Sequence, residues 1–178
     1  MPREKSAGAI IYRKESGSIH YLLLRYPTGH WEFPKGHIEG KEKEEDTVKR
    51  EVFEETGLKD IKIIPGFKKY IKYFFRQYPR ENPTKAQRGI LTGPSESRQG
   101  RVSSGRPWIF KLVVFFIAET KTKDVKISHE HKGFLWLPSA QAIKKVTFKN
   151  SKKLLKEADD FISKKSSQSG EKNRPGVI

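Results

Sequence analysis

Residues 36–58 read GHIEGKEKEEDTVKREVFEETGL. A glycine opens the stretch, an acidic run follows, and Thr56-Gly57 closes it as a helix stop. The run predicts an α-helix from about residue 43 to residue 56. On that helix, residues three and four apart share a face, so Glu51, Glu54 and Glu55 converge on one patch. Converging carboxylates repel one another unless cations stand among them. Hard divalent ions with oxygen ligands meet that need, Mg²⁺ first and Mn²⁺ as its substitute. Val48 and Val52, four apart, flank the carboxylate face and would hold the helix against a sheet. Glu44, Glu45 and Asp46 read as a solvated face.

Upstream, residues 7–12 and 19–25 are apolar, β-branched runs separated by the turn chemistry of Lys14-Glu15-Ser16-Gly17-Ser18, which predicts a β-hairpin. His30-Trp31-Glu32-Phe33-Pro34-Lys35-Gly36 leads into the acidic helix, and a Pro-Lys-Gly there suits a loop that approaches phosphate closely. Downstream, residues 61–65 and 67–75 read as two strands, the second rich in aromatics. Residues 79–107 are rich in Pro, Gly, Ser and Arg, which predicts a long mobile basic loop between two paired strands. Residues 108–119 form the most apolar run in the chain and read as a central strand. A short strand over 133–137, a helix from Pro138 and a helix over 150–162 follow, the last with an apolar stripe of Leu154, Leu155, Ala158 and Phe161. From Ser163 onward the sequence reads as a disordered tail. Strands on either side of a helix, with helices closing the chain, predict an α/β/α sandwich around a mixed sheet. The domain would span 1–164, with a basic tail over 165–178.

The 178 residues suffice for one core but not for two comfortable domains. Thirty-seven Lys and Arg stand against 21 Asp and Glu, a net charge of +16, which favours polyanionic partners such as polyphosphates, nucleotides or RNA. There is no cysteine, so neither disulfides nor thiolate chemistry is available. No signal-like run opens the chain and none approaches a membrane span, so a soluble cytoplasmic protein without a membrane partner is expected. The sequence names no oligomeric state.

Gly36, five residues, Glu42, seven residues, then Arg50-Glu51-Val52-Phe53-Glu54-Glu55-Thr56-Gly57-Leu58 resembles the Nudix box, G-x5-E-x7-R-E-U-x-E-E-x-G-U, at every defined position. The resemblance implies the sandwich fold and hydrolysis of a nucleoside diphosphate linked to a further group. His30-Trp31 with Pro34-Lys35-Gly36-His37 is similar to the asymmetric diadenosine tetraphosphate hydrolases of the animal and archaeal type. So are Gly66-Phe67-Lys68 with Tyr73, and Ile127-Ser128-His129-Glu130-His131 with Phe134, Trp136 and Leu137. That likeness implies Mg²⁺-dependent cleavage of diadenosine tetraphosphate to ATP and AMP. It implies that Glu51, Glu54 and Glu55 bind metal and handle the attacking water, with the Gly36 carbonyl as a further ligand and Glu119 as a further carboxylate for metal or base. His30, Lys35 and Lys111 would contact the phosphate chain, and Tyr73 and Phe134 would stack an adenine. Arg50 would brace the carboxylates.

Plainer readings stand beside these. Tyr73 and Phe134 also fit as core aromatics, Lys111 and Glu119 as solvated strand positions, and His30 as a loop cap. His129-Glu130-His131 reads as a structural turn in preference to a metal site. RNA 5′ ends, approached through the basic loop, and diphosphoinositol polyphosphates remain alternative substrates. A nucleotide sensor without turnover is the non-enzymatic alternative.

Overall fold

Two apolar runs joined by Ser16-Gly17 fold back on each other as β1 (Arg3–Glu15) and β2 (Ser18–Arg25), with Glu15 opposite Ser18. Both turn residues have positive φ, 48° and 79°, the twist that a two-residue hairpin demands. The molecule is seen as a computed structural model that describes residues 3–76 and 108–171. The expected basic loop over 79–107 therefore lies outside the described residues.

β3 (Trp31–Glu32) pairs with β2, and β4 (Lys35–His37) pairs with β1 opposite Ser6, Ala7 and Gly8. The acidic run forms α1 (Glu44–Thr56), as its spacing predicts. Gly57 ends it in the left-handed region, at φ 73°, where its N–H donates to the Phe53 carbonyl at 2.8 Å. The two strands expected over 61–65 and 67–75 are one strand, β5 (Lys62–Arg76), kinked by a register shift between Ile63 and Lys68. A bulge re-aims a strand without ending it, so Pro65-Gly66 reads as a stop in sequence and as a bend in space. β6 (Trp108–Glu119) lies between β1 and β5, parallel to the first and antiparallel to the second. β7 (Gly133–Pro138) pairs with β2. Among the described residues these strands form one seven-stranded mixed sheet.

Alternation along the strands sends side chains to two separate cores. On one face Val48, Val52 and Leu58 pack on Ala7, Ala9, Leu22, Leu24 and Val114. On the other, α2 (Ser139–Lys145) and α3 (Lys149–Glu171) cover Ile10, Tyr21, Phe33 and Phe115, mainly through Leu155, Ala158 and Ile162. The Tyr21 hydroxyl donates to Asp159 at 2.7 Å and fastens α3 to the sheet. The fold is thus the expected α/β/α sandwich. One correction concerns its end. The tail expected from Ser163 onward is helical as far as Glu171. Lysine, serine and glutamine continue a helix already nucleated by packing at little cost, and no proline intervenes before Pro175. No described helix is long and apolar enough to cross a membrane.

Candidate active site

β4 and α1 meet across a cleft of about 560 Å³ lined by Lys35, Gly36, His37, Glu39, Arg50, Glu51, Glu54, Glu55 and the Ser128-His129-Glu130 loop. The register of β4 on β1 brings Gly36 directly under the Glu51 carboxylate. A Cβ at residue 36 would lie 1.8 Å from Glu51 Cδ, so only glycine leaves room for that side chain.

Glu55 forms the inner wall and is buried. One of its oxygens accepts the Lys35 backbone N–H at 3.2 Å, and the other lies 3.4 Å from His131 Nε2. His131 is buried as well, and the Ser128 N–H, donating to the Glu55 carbonyl at 3.2 Å, holds its loop against the helix end. Tyr26 packs edge-on against His131, with ring centroids 4.6 Å apart. The Lys35 ammonium donates to the Tyr26 hydroxyl at 3.0 Å. Burial pulls the Lys35 pKa below the ordinary lysine value, and Glu32 and Glu55 oppose that pull. Glu32 is buried behind the loop, where it accepts from Ser151 at 2.6 Å and from the Phe33 N–H at 3.0 Å.

The outer wall depends on Arg50. Its guanidinium donates twice to Glu42, at 2.8 and 2.9 Å, and once to the His37 carbonyl at 2.9 Å. The Arg50 bonds, with one from the Thr47 hydroxyl, hold the Glu42 carboxyl at a pKa of about 2. Arg50 Nη1 also reaches Glu51 at 2.8 Å and Glu54 at 3.1 Å, bracing the carboxylates. Burial raises the Glu51 pKa, Arg50 opposes the rise, and the charges of Glu55 and Glu54 add to it. With Arg50 standing between Glu51 and Glu54, no group of His, Asp or Glu side chains among the described residues is closed around a metal-sized point. The Glu51, Glu54 and Glu55 carboxylates that line the cleft are hard oxygen donors, a chemistry suited to a hard divalent cation.

The remaining expected residues divide. Lys111 stands at the rim, 3.6 Å from Glu4 and 3.5 Å from the His37 imidazole. His30 lies one ring further back, stacked on Tyr26 at 4.5 Å and 5.3 Å from exposed Phe148. Tyr73 sits opposite Lys111 on the face that α2 and α3 cover, in the row of Ile71 and Val113. Phe134 does not join it. Pairing with Leu24 puts Phe134 in the row of Leu24 and Trp136, on the α1 side of the sheet.

Glu119 also stays out of the cleft. Lys111 pairs with Glu4 and Glu119 with Tyr12. Eight residues of strand separate Glu119 from Lys111, roughly 26 Å at the usual rise. Its carboxylate lies 3.7 Å from the Lys14 ammonium instead. Beyond the carboxylates of α1, Glu39 and Glu130 line the cleft. Sequence reasoning assigned no role at this site to Tyr26, Glu130 or His131. The expected turn is present at His129-Glu130, and it leaves His129 exposed while His131 is buried.

The NUDIX domain family matches residues 2–158. The asymmetrical bis(5′-nucleosyl)-tetraphosphatase of Mus musculus is 29% identical over 170 residues, covering 89% of this chain and 95% of that protein. Its Caenorhabditis elegans counterpart is 30% identical over 165 residues, covering 89% and 96%. Among solved structures, a C. elegans Ap4A hydrolase binary complex superposes with a TM-score of 0.66 at 27% identity, covering 90% of this chain and 98% of that one. With the box folded around a carboxylate-lined cleft and the match running through nearly the whole sandwich, the chain belongs to the NUDIX family and is a hydrolase of that family.

Proposed function

We propose that this chain hydrolyses dinucleoside polyphosphates and cleaves diadenosine tetraphosphate asymmetrically to ATP and AMP. One observation carries the reading: the likeness to asymmetrical tetraphosphatases extends far past the box, over 89% of this chain. Hydrolases of this family use divalent metal cations. Glu51, Glu54, Glu55 and the Gly36 carbonyl would hold Mg²⁺, or Mn²⁺ in its place, and such ions supply positive charge to phosphate oxygens and acidify water.

The other roles fall to the chain itself. Lys35, steadied by Tyr26, meets the polyphosphate from the inner wall. Lys111 and His37 meet it at the rim. Glu55 is oriented by the Lys35 backbone N–H on one oxygen, with the buried His131 imidazole 3.4 Å from the other. Glu130, exposed on the cleft, takes the carboxylate role expected of Glu119 and accepts a proton from the attacking water. Tyr73 and Phe148, rather than Phe134, offer aromatic faces to a base on the side that α2 and α3 cover, with His30 supporting Phe148. The water oxygen bonds to the phosphorus four from the retained nucleoside, the bond from that phosphorus to the bridging oxygen breaks, and ATP leaves. Incubation with diadenosine tetraphosphate and Mg²⁺ in ¹⁸O-water should give ATP and AMP, with the label in AMP. No turnover, or a split into two ADP, overturns the proposal.

A further inference from the structure

Among the described residues, the face of the sheet that α1 covers is left uncovered at one end. Strand pairing puts Tyr70 of β5 opposite Val114 of β6, and Phe74 opposite Phe110, all on the α1 side. Val114 is buried beneath α1, but beyond it the row runs into the open. Tyr70 is 49% exposed, Phe74 57% and Trp108 49%. The Phe74 and Phe110 rings meet at 5.3 Å with a tilt of 55°, so the aromatic carbons make a joined platform rather than scattered surface residues. Contiguous exposed aromatics mark an interaction site.

Cations are interleaved with these rings. Lys72 lies between Tyr70 and Phe74 in the same row, and Arg3 of β1 pairs with Phe110. The acid at this end of α1, Glu44, is already held between Lys5 at 2.8 Å and Lys68 at 2.5 Å. Lys72 and Arg3 are exposed and have no acidic partner among the described residues. None of these side chains lines the cleft, and Tyr73 points to the opposite face. The platform nonetheless adjoins the cleft, because the Lys5 carbonyl accepts the N–H of Ile38, next to cleft-lining His37.

We propose that this end of the sheet binds single-stranded nucleic acid, with bases stacked on Tyr70 and Phe74 and phosphates beside Lys72 and Arg3. Alternating rings and cations match the alternation of base and phosphate along a strand. A second copy of this chain, with its net charge of +16, would bring the same cations against each other. An acidic peptide would satisfy the lysines and leave the rings bare.

The test is a fluorescence-anisotropy titration of the full chain with a fluorescein-labelled single-stranded oligouridylate, at two salt concentrations. Wild type should bind, more weakly at the higher salt. Tyr70→Ala and Phe74→Ala should each weaken binding about tenfold, and Tyr70→Phe should restore it, because stacking needs the ring alone. Lys72→Ala should flatten the salt dependence by about 0.7 in log–log slope. Cleavage of diadenosine tetraphosphate should stay unchanged in all these variants, which separates this proposal from the assignment of the cleft. Wild-type affinity in the Tyr70→Ala/Phe74→Ala double variant overturns the proposal by locating binding elsewhere in the chain. Equal affinity for a duplex of the same length overturns it, as does self-association in sedimentation that Phe74→Ala abolishes.

Discussion

A methyl group at residue 36 would test whether the backbone beneath Glu51 sets the position of its carboxylate. On the existing backbone the new Cβ would lie 1.8 Å from Glu51 Cδ and 1.9 and 2.1 Å from its oxygens. Non-bonded carbons rest at about 3.5–4.0 Å, so the carboxylate must retreat by roughly 1.7 Å or more. Gly36 is not among the positive-φ glycines, so alanine suits the backbone. The displaced atoms end a flexible side chain, and stability should change by less than about 1 kcal/mol. Catalysis has less tolerance, because a displacement of about 1 Å near reacting groups costs on the order of 10²-fold. The Arg50 bond to Glu51, 2.8 Å long, must re-form as well. We expect Gly36→Ala to lower kcat for diadenosine tetraphosphate about 100-fold or more while the urea midpoint hardly moves. The double variant Gly36→Ala/Glu51→Ala should be no slower than Glu51→Ala, since no carboxylate is left to displace. Turnover of Gly36→Ala within about threefold of wild type would refute the reasoning.

Glu54→Gln should cut turnover by about 10²–10⁴-fold while nucleotide affinity, measured by calorimetry, is largely retained. Glu130→Gln should slow cleavage at least about tenfold, whereas Glu119→Gln should stay within about twofold; the opposite ranking in steady-state rates would return Glu119 to the site. Ser151→Ala leaves the buried Glu32 carboxylate short of a donor and should cost about 1–3 kcal/mol in urea unfolding. Burial first, then Lys35 and His131, push His30 down to about 4 from an ordinary 6.5. Its contribution to stability is therefore complete above pH 6.5 and lost as pH falls toward 4, because the unfolded chain takes up a proton that the folded one refuses. His30→Gln should melt with a shallower pH dependence over that window, and an identical slope would discount the burial.

Features decided by neighbours in sequence could be read from it. The helix stop at Thr56-Gly57, the Ser16-Gly17 hairpin and the meeting of Glu51, Glu54 and Glu55 follow from local period and turn chemistry, and the structure has all of them. Features decided by strand register could not. Lys111 and Glu119 share a strand, and only the pairing of β6 with β1 reveals that one end reaches the cleft while the other does not. Tyr73 and Phe134 are both strand aromatics, and only pairing shows them on opposite faces. The turn at His129-Glu130-His131 was legible and is present. That His131 abuts Glu55 depends on a backbone bond from Ser128 to the end of α1. The helical stretch beyond Ser163 has no apolar stripe to announce it.

The cleft holds its carboxylates in two different ways, and the difference bears on how cations could enter. Glu55 belongs to a closed ring of contacts: the Lys35 N–H and His131 on its oxygens, Tyr26 on His131, and the Lys35 ammonium on Tyr26. Each member is at least half buried, so rotating Glu55 would leave the Lys35 N–H without its acceptor. Glu51 and Glu54 are braced instead by Arg50 Nη1 alone among the contacts described above. A divalent cation carries twice the charge of that guanidinium and is smaller, so it competes for both carboxylates on favourable terms. Arg50 need not leave when it loses them, because Glu42 grips Nε and Nη2 and the His37 carbonyl takes Nη2 as well. Glu42, distant from the carboxylate patch in sequence, is therefore what allows an arginine to occupy an acidic cleft without blocking it.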